Sequence, residues 1–154
     1  MVVHSIFNSI DGECNYWGQG TLSTFVRMAG CNLAIEGTPC LYCDTKQAQE
    51  KDAGQDMTVK EIMAVIERYG CDKITITGGE PFMQKGTSDL LAFLYSKGYN
   101  ISVETNGTFP VPTSLRWLNN NISYVVDYKL EFPEKMEKYA FINLTDWDFV
   151  KFVI

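Results

Sequence analysis

Short β-branched runs alternate along this chain with amphipathic helical stretches. A glycine pair or a polar cluster follows nearly every run. Of the 154 residues, 45% are hydrophobic and 21% charged. Together these observations predict an α/β fold on parallel strands, because strands that alternate with helices build βαβ units. The composition is that of a packed domain rather than a disordered chain. The length leads us to expect one domain over residues 1–154.

The elements follow in order. Residues 2–8 have mixed apolar character and read as a first, edge-like strand. Residues 23–29 (Ser-Thr-Phe-Val-Arg-Met-Ala) read as a strand that stops at Gly30. Residues 58–69 read as a helix: Thr58 and Glu61 form a capping box, Val59, Ile62, Met63, Ile66 and Tyr69 make an apolar stripe, and Gly70 ends it. Residues 73–77 are a β-branched run before Gly78-Gly79, which reads as a buried strand. A second amphipathic helix is expected over 88–97, closed by Gly98. A strand over 101–105 ends at Asn106-Gly107, and a short helix is expected over 112–119. A strand over 123–127 runs into Tyr128-Lys129, and a last apolar run covers 149–154.

In parallel α/β folds, chemistry collects at the C-terminal ends of strands. Four segments put unusual residues there: Cys31, Gly78-Gly79-Glu80-Pro81, Glu104-Thr105-Asn106-Gly107 and Asp127-Tyr128-Lys129. Other function classes are disfavoured. Acids outnumber Lys and Arg by 19 to 13, for a net charge of −6, whereas a non-specific nucleic-acid binder carries the opposite balance. No apolar run reaches the roughly 18 residues that span a bilayer. The N-terminus lacks a basic segment followed by an apolar one, so a cytoplasmic protein is expected, with its thiols reduced.

Of the five cysteines, Cys31, Cys40 and Cys43 lie within thirteen residues. The Cys40-x-x-Cys43 spacing lets two thiolates converge on one metal centre, and Gly37 and Pro39 allow Cys31 to fold back. Three readings compete. Structural zinc needs a fourth ligand, from His4, Cys14 or Cys71. A redox dithiol leaves Cys31 unexplained. An iron–sulfur cube on three cysteines leaves one iron open to a small molecule.

The three-cysteine loop, Thr77-Gly78-Gly79-Glu80-Pro81 and Glu104-Thr105-Asn106-Gly107 resemble the pattern of radical S-adenosylmethionine (radical SAM) enzymes. Within that superfamily the chain most resembles the 7-carboxy-7-deazaguanine synthase family. The likeness is carried by residues 5–13 (Ser-Ile-Phe-Asn-Ser-Ile-Asp-Gly-Glu), residues 25–33 (Phe-Val-Arg-Met-Ala-Gly-Cys-Asn-Leu) and residues 40–45 (Cys-Leu-Tyr-Cys-Asp-Thr). The chain departs from the pattern in three ways. Eight residues separate Cys31 from Cys40 where three are usual, Asp11-Gly12-Glu13-Cys14 stands for Gln-Gly-Glu-Gly, and the chain is shorter than family members.

The resemblance implies an open, partial (β/α) barrel of about five to six parallel strands. It implies that Cys31, Cys40 and Cys43 ligate a 4Fe-4S cluster and that Thr45 is a Mg²⁺ position. S-adenosylmethionine would be contacted by Tyr42, Cys43, Asp44, Gly78, Gly79, Glu80, Glu104, Asp127, Tyr128 and Lys129. Ile10, Asp11, Gly12, Glu13, Arg27 and Thr77 would meet the substrate. Arg27 also stands out without the resemblance, because a charge in the apolar run Phe25-Val26-Arg27-Met28-Ala29 needs a partner. A carboxylate would supply one.

The implied activity is a carbon–nitrogen lyase reaction of queuosine and deazapurine biosynthesis. It converts 6-carboxy-5,6,7,8-tetrahydropterin to 7-carboxy-7-deazaguanine with loss of ammonia, begun by a 5′-deoxyadenosyl radical. An external electron donor such as flavodoxin goes with it, and the bare last strand leads us to expect a homodimer that covers it. A radical SAM activase of a glycyl-radical enzyme and a non-catalytic zinc module are the competing readings.

Overall fold

The computed structural model describes residues 1–112 and 121–153. A seven-stranded sheet carries the fold. Its strands are β1 (Val2–Ile10), β2 (Leu22–Met28), β3 (Gln55–Asp56), β4 (Lys73–Gly78), β5 (Asn100–Thr105), β6 (Ile122–Lys129) and β7 (Phe149–Val153), in the order β3-β1-β2-β4-β5-β6-β7. β1 is antiparallel to both β2 and β3. From β2 onward every pairing is parallel. Five parallel strands therefore follow one another without reversal, which winds the sheet in one direction, as in a barrel. The sheet is open, with β1 and then β3 added at one side through antiparallel pairings. The expected architecture is present, and the short β3 had no signal in the sequence.

The helices are α1 (Asn32–Ile35), α2 (Val59–Tyr69), α3 (Thr87–Ser96) and α4 (Lys138–Phe141). α2 has the capping box read from the sequence: Thr58 accepts from the Glu61 backbone N–H, and Glu61 accepts from the Thr58 N–H at 2.8 Å. Gly70 ends the helix in the left-handed region at φ 65°. The short helix expected over 112–119 lies outside the described residues, apart from residue 112. The two four-residue helices were not anticipated, because a single turn is too short for its periodicity to show.

Parallel register puts alternate residues of neighbouring strands on the same face. Val26, Ile74, Ile76, Ile101, Val103, Tyr124 and Val126 share one face and pack in a single buried core with Ile62, Met63 and Ile66 of α2 and Leu90, Leu91 and Leu94 of α3. The other face presents Phe25 and Arg27, Lys73, Thr75 and Thr77, Ser102 and Glu104, Ser123 and Asp127, and Lys151. A parallel sheet covered on both sides reads as continuous apolar runs. Here only the helix side does, which leaves the polar side as the inner wall of a partial barrel.

Candidate active site

At the C-terminal ends of the parallel strands lies a cavity of about 490 Å³. Cys31, Cys40 and Cys43 border it, with Tyr42, Asp44, Thr45, Thr77, Gly78, Gly79, Glu104, Asp127, Lys129 and Glu13. Strands remote in sequence thus aim their ends at one volume.

Cys31 immediately follows β2 and begins α1. Its thiol is pushed up from its ordinary value by burial. The N–H groups of Ala34 and Leu33 face it and lower it, though neither makes a capping hydrogen bond of ordinary geometry, and Glu80 and Cys40 raise it. Gly78 and Gly79 let β4 close on this segment. Gly78 has φ 137°, and a side chain there would strike the Met28 backbone; one at Gly79 would strike the Gly30 carbonyl. The Gly79 N–H donates to Met28 O (3.0 Å) and the Glu80 N–H to Gly30 O (2.8 Å). The paired glycines therefore lock the β4 end against the Cys31 segment.

Glu80 is fully buried and does not border the cavity. Its carboxylate accepts from the Asn106 N–H (2.7 Å), Thr105 Oγ1 (2.8 Å) and the Phe82 N–H (3.0 Å). Burial pushes its pKa to about 7 against the lowering pull of those three donors. Glu80 thus ties the end of β4 to the end of β5.

Glu104 does face the cavity. It accepts from Thr77 Oγ1 at 2.6 Å. Burial raises its pKa to about 7; the Thr77 hydrogen bond lowers it, Asp11 and Glu13 raise it, and Lys151 lowers it. Such a carboxyl can hold or release a proton near neutral pH. Across the cavity, Asp127 pairs with Lys129 at 2.5 Å and with Lys151 at 3.1 Å, and Lys129 lies over the Tyr42 ring. Burial, then the neighbouring Cys40, holds the Tyr42 hydroxyl above its ordinary value.

Lys151 was not singled out from the sequence. It reaches from β7 to Glu13 (2.8 Å) as well as to Asp127, joining the β1–β2 loop to the last strands. Burial lowers its pKa, but Asp127 and Glu13 more than offset this and hold it above its ordinary value. Its signal was present: a lone cation in the apolar run Phe149–Val153, the same feature that drew attention to Arg27. Asn32 was missed as well, and Asn106 was read only as part of the polar cluster at the end of β5, with no role of its own, since a single polar amide carries no periodicity.

Other expected site residues lie elsewhere. Tyr128 sits on the helix-side face, between Phe141 and Phe152. Asp127, Tyr128 and Lys129 are consecutive in a strand, so they cannot all face one side. Asp11 is fully buried and paired with Lys73 at 3.0 Å, and it accepts from Thr75 Oγ1 at 2.9 Å. It forms the floor of the polar face and exposes no surface. Ile10 is exposed at the end of β1, and the Gly12 carbonyl accepts from Gln19; neither borders the cavity. Arg27 shares the polar face one strand from Thr77. Its guanidinium lies over the Phe7 ring, 5.6 Å from the centroid, without an ion-pair partner among the described residues.

The candidate fourth zinc ligands are scattered. His4 Nδ1 lies 2.6 Å from Ala53 O, Cys71 accepts from Asn8 near the opposite end of β4, and Cys14 is exposed. None borders the cavity. Among the described residues, no three His, Cys, Asp or Glu side chains converge where a single metal ion would sit. Thr45 donates its hydroxyl hydrogen to Asp44 Oδ1 at 2.8 Å, which leaves its oxygen lone pairs available. Among the described residues no helix is long and apolar enough to cross a membrane.

Comparison with known proteins follows the same lines. The family model of the radical SAM superfamily matches residues 25–128. Three curated proteins named 7-carboxy-7-deazaguanine synthase are similar. The one from Clostridium acetobutylicum is 41% identical over 96% of this chain and 66% of its own length. The Methanospirillum hungatei protein is 35% identical over 100% of this chain and 61% of its own length. The one from Hyperthermus butylicus is 41% identical over 71% of this chain and 44% of its own length. The chain thus spans less than two thirds of each of these relatives.

Proposed function

The chain belongs to the radical SAM superfamily, and from that premise we propose that it converts 6-carboxy-5,6,7,8-tetrahydropterin to 7-carboxy-7-deazaguanine with loss of ammonia. One observation carries the reading: three thiols and the polar strand ends face a single cavity, on a chain whose relatives bear that synthase's name.

The residues fit the superfamily's cofactors. Three soft thiol donors border one cavity, and among the described residues no fourth cysteine or histidine joins them there, which suits a cluster with an open iron better than four-coordinate zinc. When bound, the 4Fe-4S cluster and S-adenosylmethionine supply the electron and the carbon-centred radical that begins the reaction. Cys31, Cys40 and Cys43 hold the cluster. The Gly78-Gly79 backbone brings the β4 rim close to it. Tyr42, Asp44 and the Asp127–Lys129 pair line the wall where the cofactor's amino acid and ribose bind. Glu80 acts from behind, fixing the Thr105–Asn106 rim.

Thr77 and Glu104 face the substrate, with Glu104 holding a proton at its carboxyl near neutral pH. Lys151 keeps Glu13 and Asp127 in place. Arg27, a cation on the polar face with no ion-pair partner among the described residues, is the substrate's carboxylate partner. Thr45 offers one oxygen to Mg²⁺, which takes its other ligands from water and substrate. An external one-electron donor such as flavodoxin, a homodimer and a cytoplasmic setting belong to the same proposal.

The test is anaerobic reconstitution with iron and sulfide, followed by incubation with dithionite, S-adenosylmethionine, Mg²⁺ and the carboxypterin. A deazaguanine carboxylate is the expected product. Cofactor cleavage without that product would move the substrate assignment. A colourless protein that holds zinc and no sulfide would overturn the reading.

A further inference from the structure

Beside Cys31 lies a network that the reaction leaves unused. Asn106 is buried, with 7% of its surface exposed. Its backbone N–H is fixed on Glu80 Oε2 at 2.7 Å. Its side-chain oxygen accepts from the Thr108 N–H (3.0 Å) and from Thr108 Oγ1 (2.6 Å). A backbone N–H can only donate, so Oδ1 must face Thr108 and Nδ2 must face the other way. The two hydrogens of Nδ2 then point to Asn32 Oδ1 at 3.0 Å and to Cys31 Sγ at 3.9 Å. Asn32 is held in turn by its own donation to Thr108 Oγ1 at 3.0 Å. Three polar side chains, one at the start of α1 and two in the loop after β5, thus fix one amide N–H on one sulfur.

We infer that Asn106 is a positioning residue that sets the reduction potential of the cluster through its hydrogen bond to Cys31 Sγ. This rests on Cys31 being a cluster ligand. A donor on a thiolate sulfur stabilises the reduced, more negative cluster more than the oxidised one, and so raises its potential.

The experiment is a potentiometric titration of the reconstituted cluster without S-adenosylmethionine, followed by electron paramagnetic resonance, with iron and sulfide counted in each sample. Asn106→Leu removes the donor in a similar volume. It should shift the midpoint to more negative potential, lowering the reduced-to-oxidised ratio at a fixed potential about tenfold. Asn32→Ala keeps Asn106 but frees its amide, and should give a smaller shift in the same direction. Both variants carrying full iron and sulfide at the wild-type potential would overturn the inference. If Asn106→Leu fails to hold a cluster, Asn32→Ala decides by the same criterion. Failure of both to hold iron overturns it too, since the amide would then be a folding element. Wild-type protein without a cluster would instead refute the proposed function.

Discussion

On the face toward α2 and α3, β4 presents Ile74 and Ile76; one residue along, it turns Lys73, Thr75 and Thr77 to the other side. The helix side repeats that choice across β2, β5 and β6 and is closed by Leu, Ile and Met side chains with none of their surface exposed, or almost none. The open side is as well ordered, but by different means. Asp11 meets Lys73, Thr75 bonds Ser23 and Asp11, Thr77 bonds Glu104, and Lys151 joins Glu13 to Asp127. Apolar packing is tolerant of volume-preserving change. A buried polar network is not, because removing one partner strands another. The fold therefore packs apolar side chains on one face and gathers the polar groups of the candidate site on the other, with the strand ends as the shared boundary.

The largest test of that division is Cys40→Ala. It should abolish iron loading and turnover while moving the urea midpoint of the cluster-free protein by no more than about 0.5 kcal/mol equivalent. Lys73→Ala, on the polar floor, leaves the Asp11 charge buried and unpaired. It should cost about 3–5 kcal/mol in urea unfolding at pH 7. A loss no larger than for an exposed lysine would show that the floor is wet.

Ile76→Ala removes packing from the helix side and should cost about 2–5 kcal/mol. Turnover per folded molecule should persist. If turnover vanished with the fold intact, the two faces would not be separable.

The smallest expected effect is a slope. Glu104 has a folded pKa of about 7 against 4.5 for the ordinary group. Between those values the folded state binds more protons than the unfolded one, so stability falls as pH rises from 4.5 and levels off above 7. Its contribution is thus fully present below pH 4.5 and lost as pH passes 7. Glu104→Gln should flatten that part of the stability–pH curve by about 1–3 kcal/mol. Urea unfolding of the cluster-free protein at pH 5 and pH 8 measures it, and an unchanged slope would mean that Glu104 is better solvated than its burial indicates.

Much of this was legible beforehand because it is local. Thr58, Glu61 and Gly70 are cap signals, and they bound α2 where they should. The β-branched run ahead of Gly78-Gly79 is a strand and then a rim. The alternation of β6 was also readable, and applied strictly it sends Tyr128 away from the cavity that Asp127 and Lys129 border. The reading of those three as one stretch followed the resemblance rather than the pleat.

By itself, then, the sequence determined the period of each element, the polarity of the two sheet faces and the three thiols close enough in the chain to share a centre. Each of these depends on neighbours a few residues apart. Only the tertiary structure decided that Glu80 turns from the cavity to tie two strand ends, that Asp11 is a floor rather than a rim, that Lys151 reaches Glu13 across 138 residues, and that Asn106 leans on Cys31. The physical reason is that a charged or amide side chain takes its role from whichever partner burial leaves within reach, and that partner is set by the winding of the sheet.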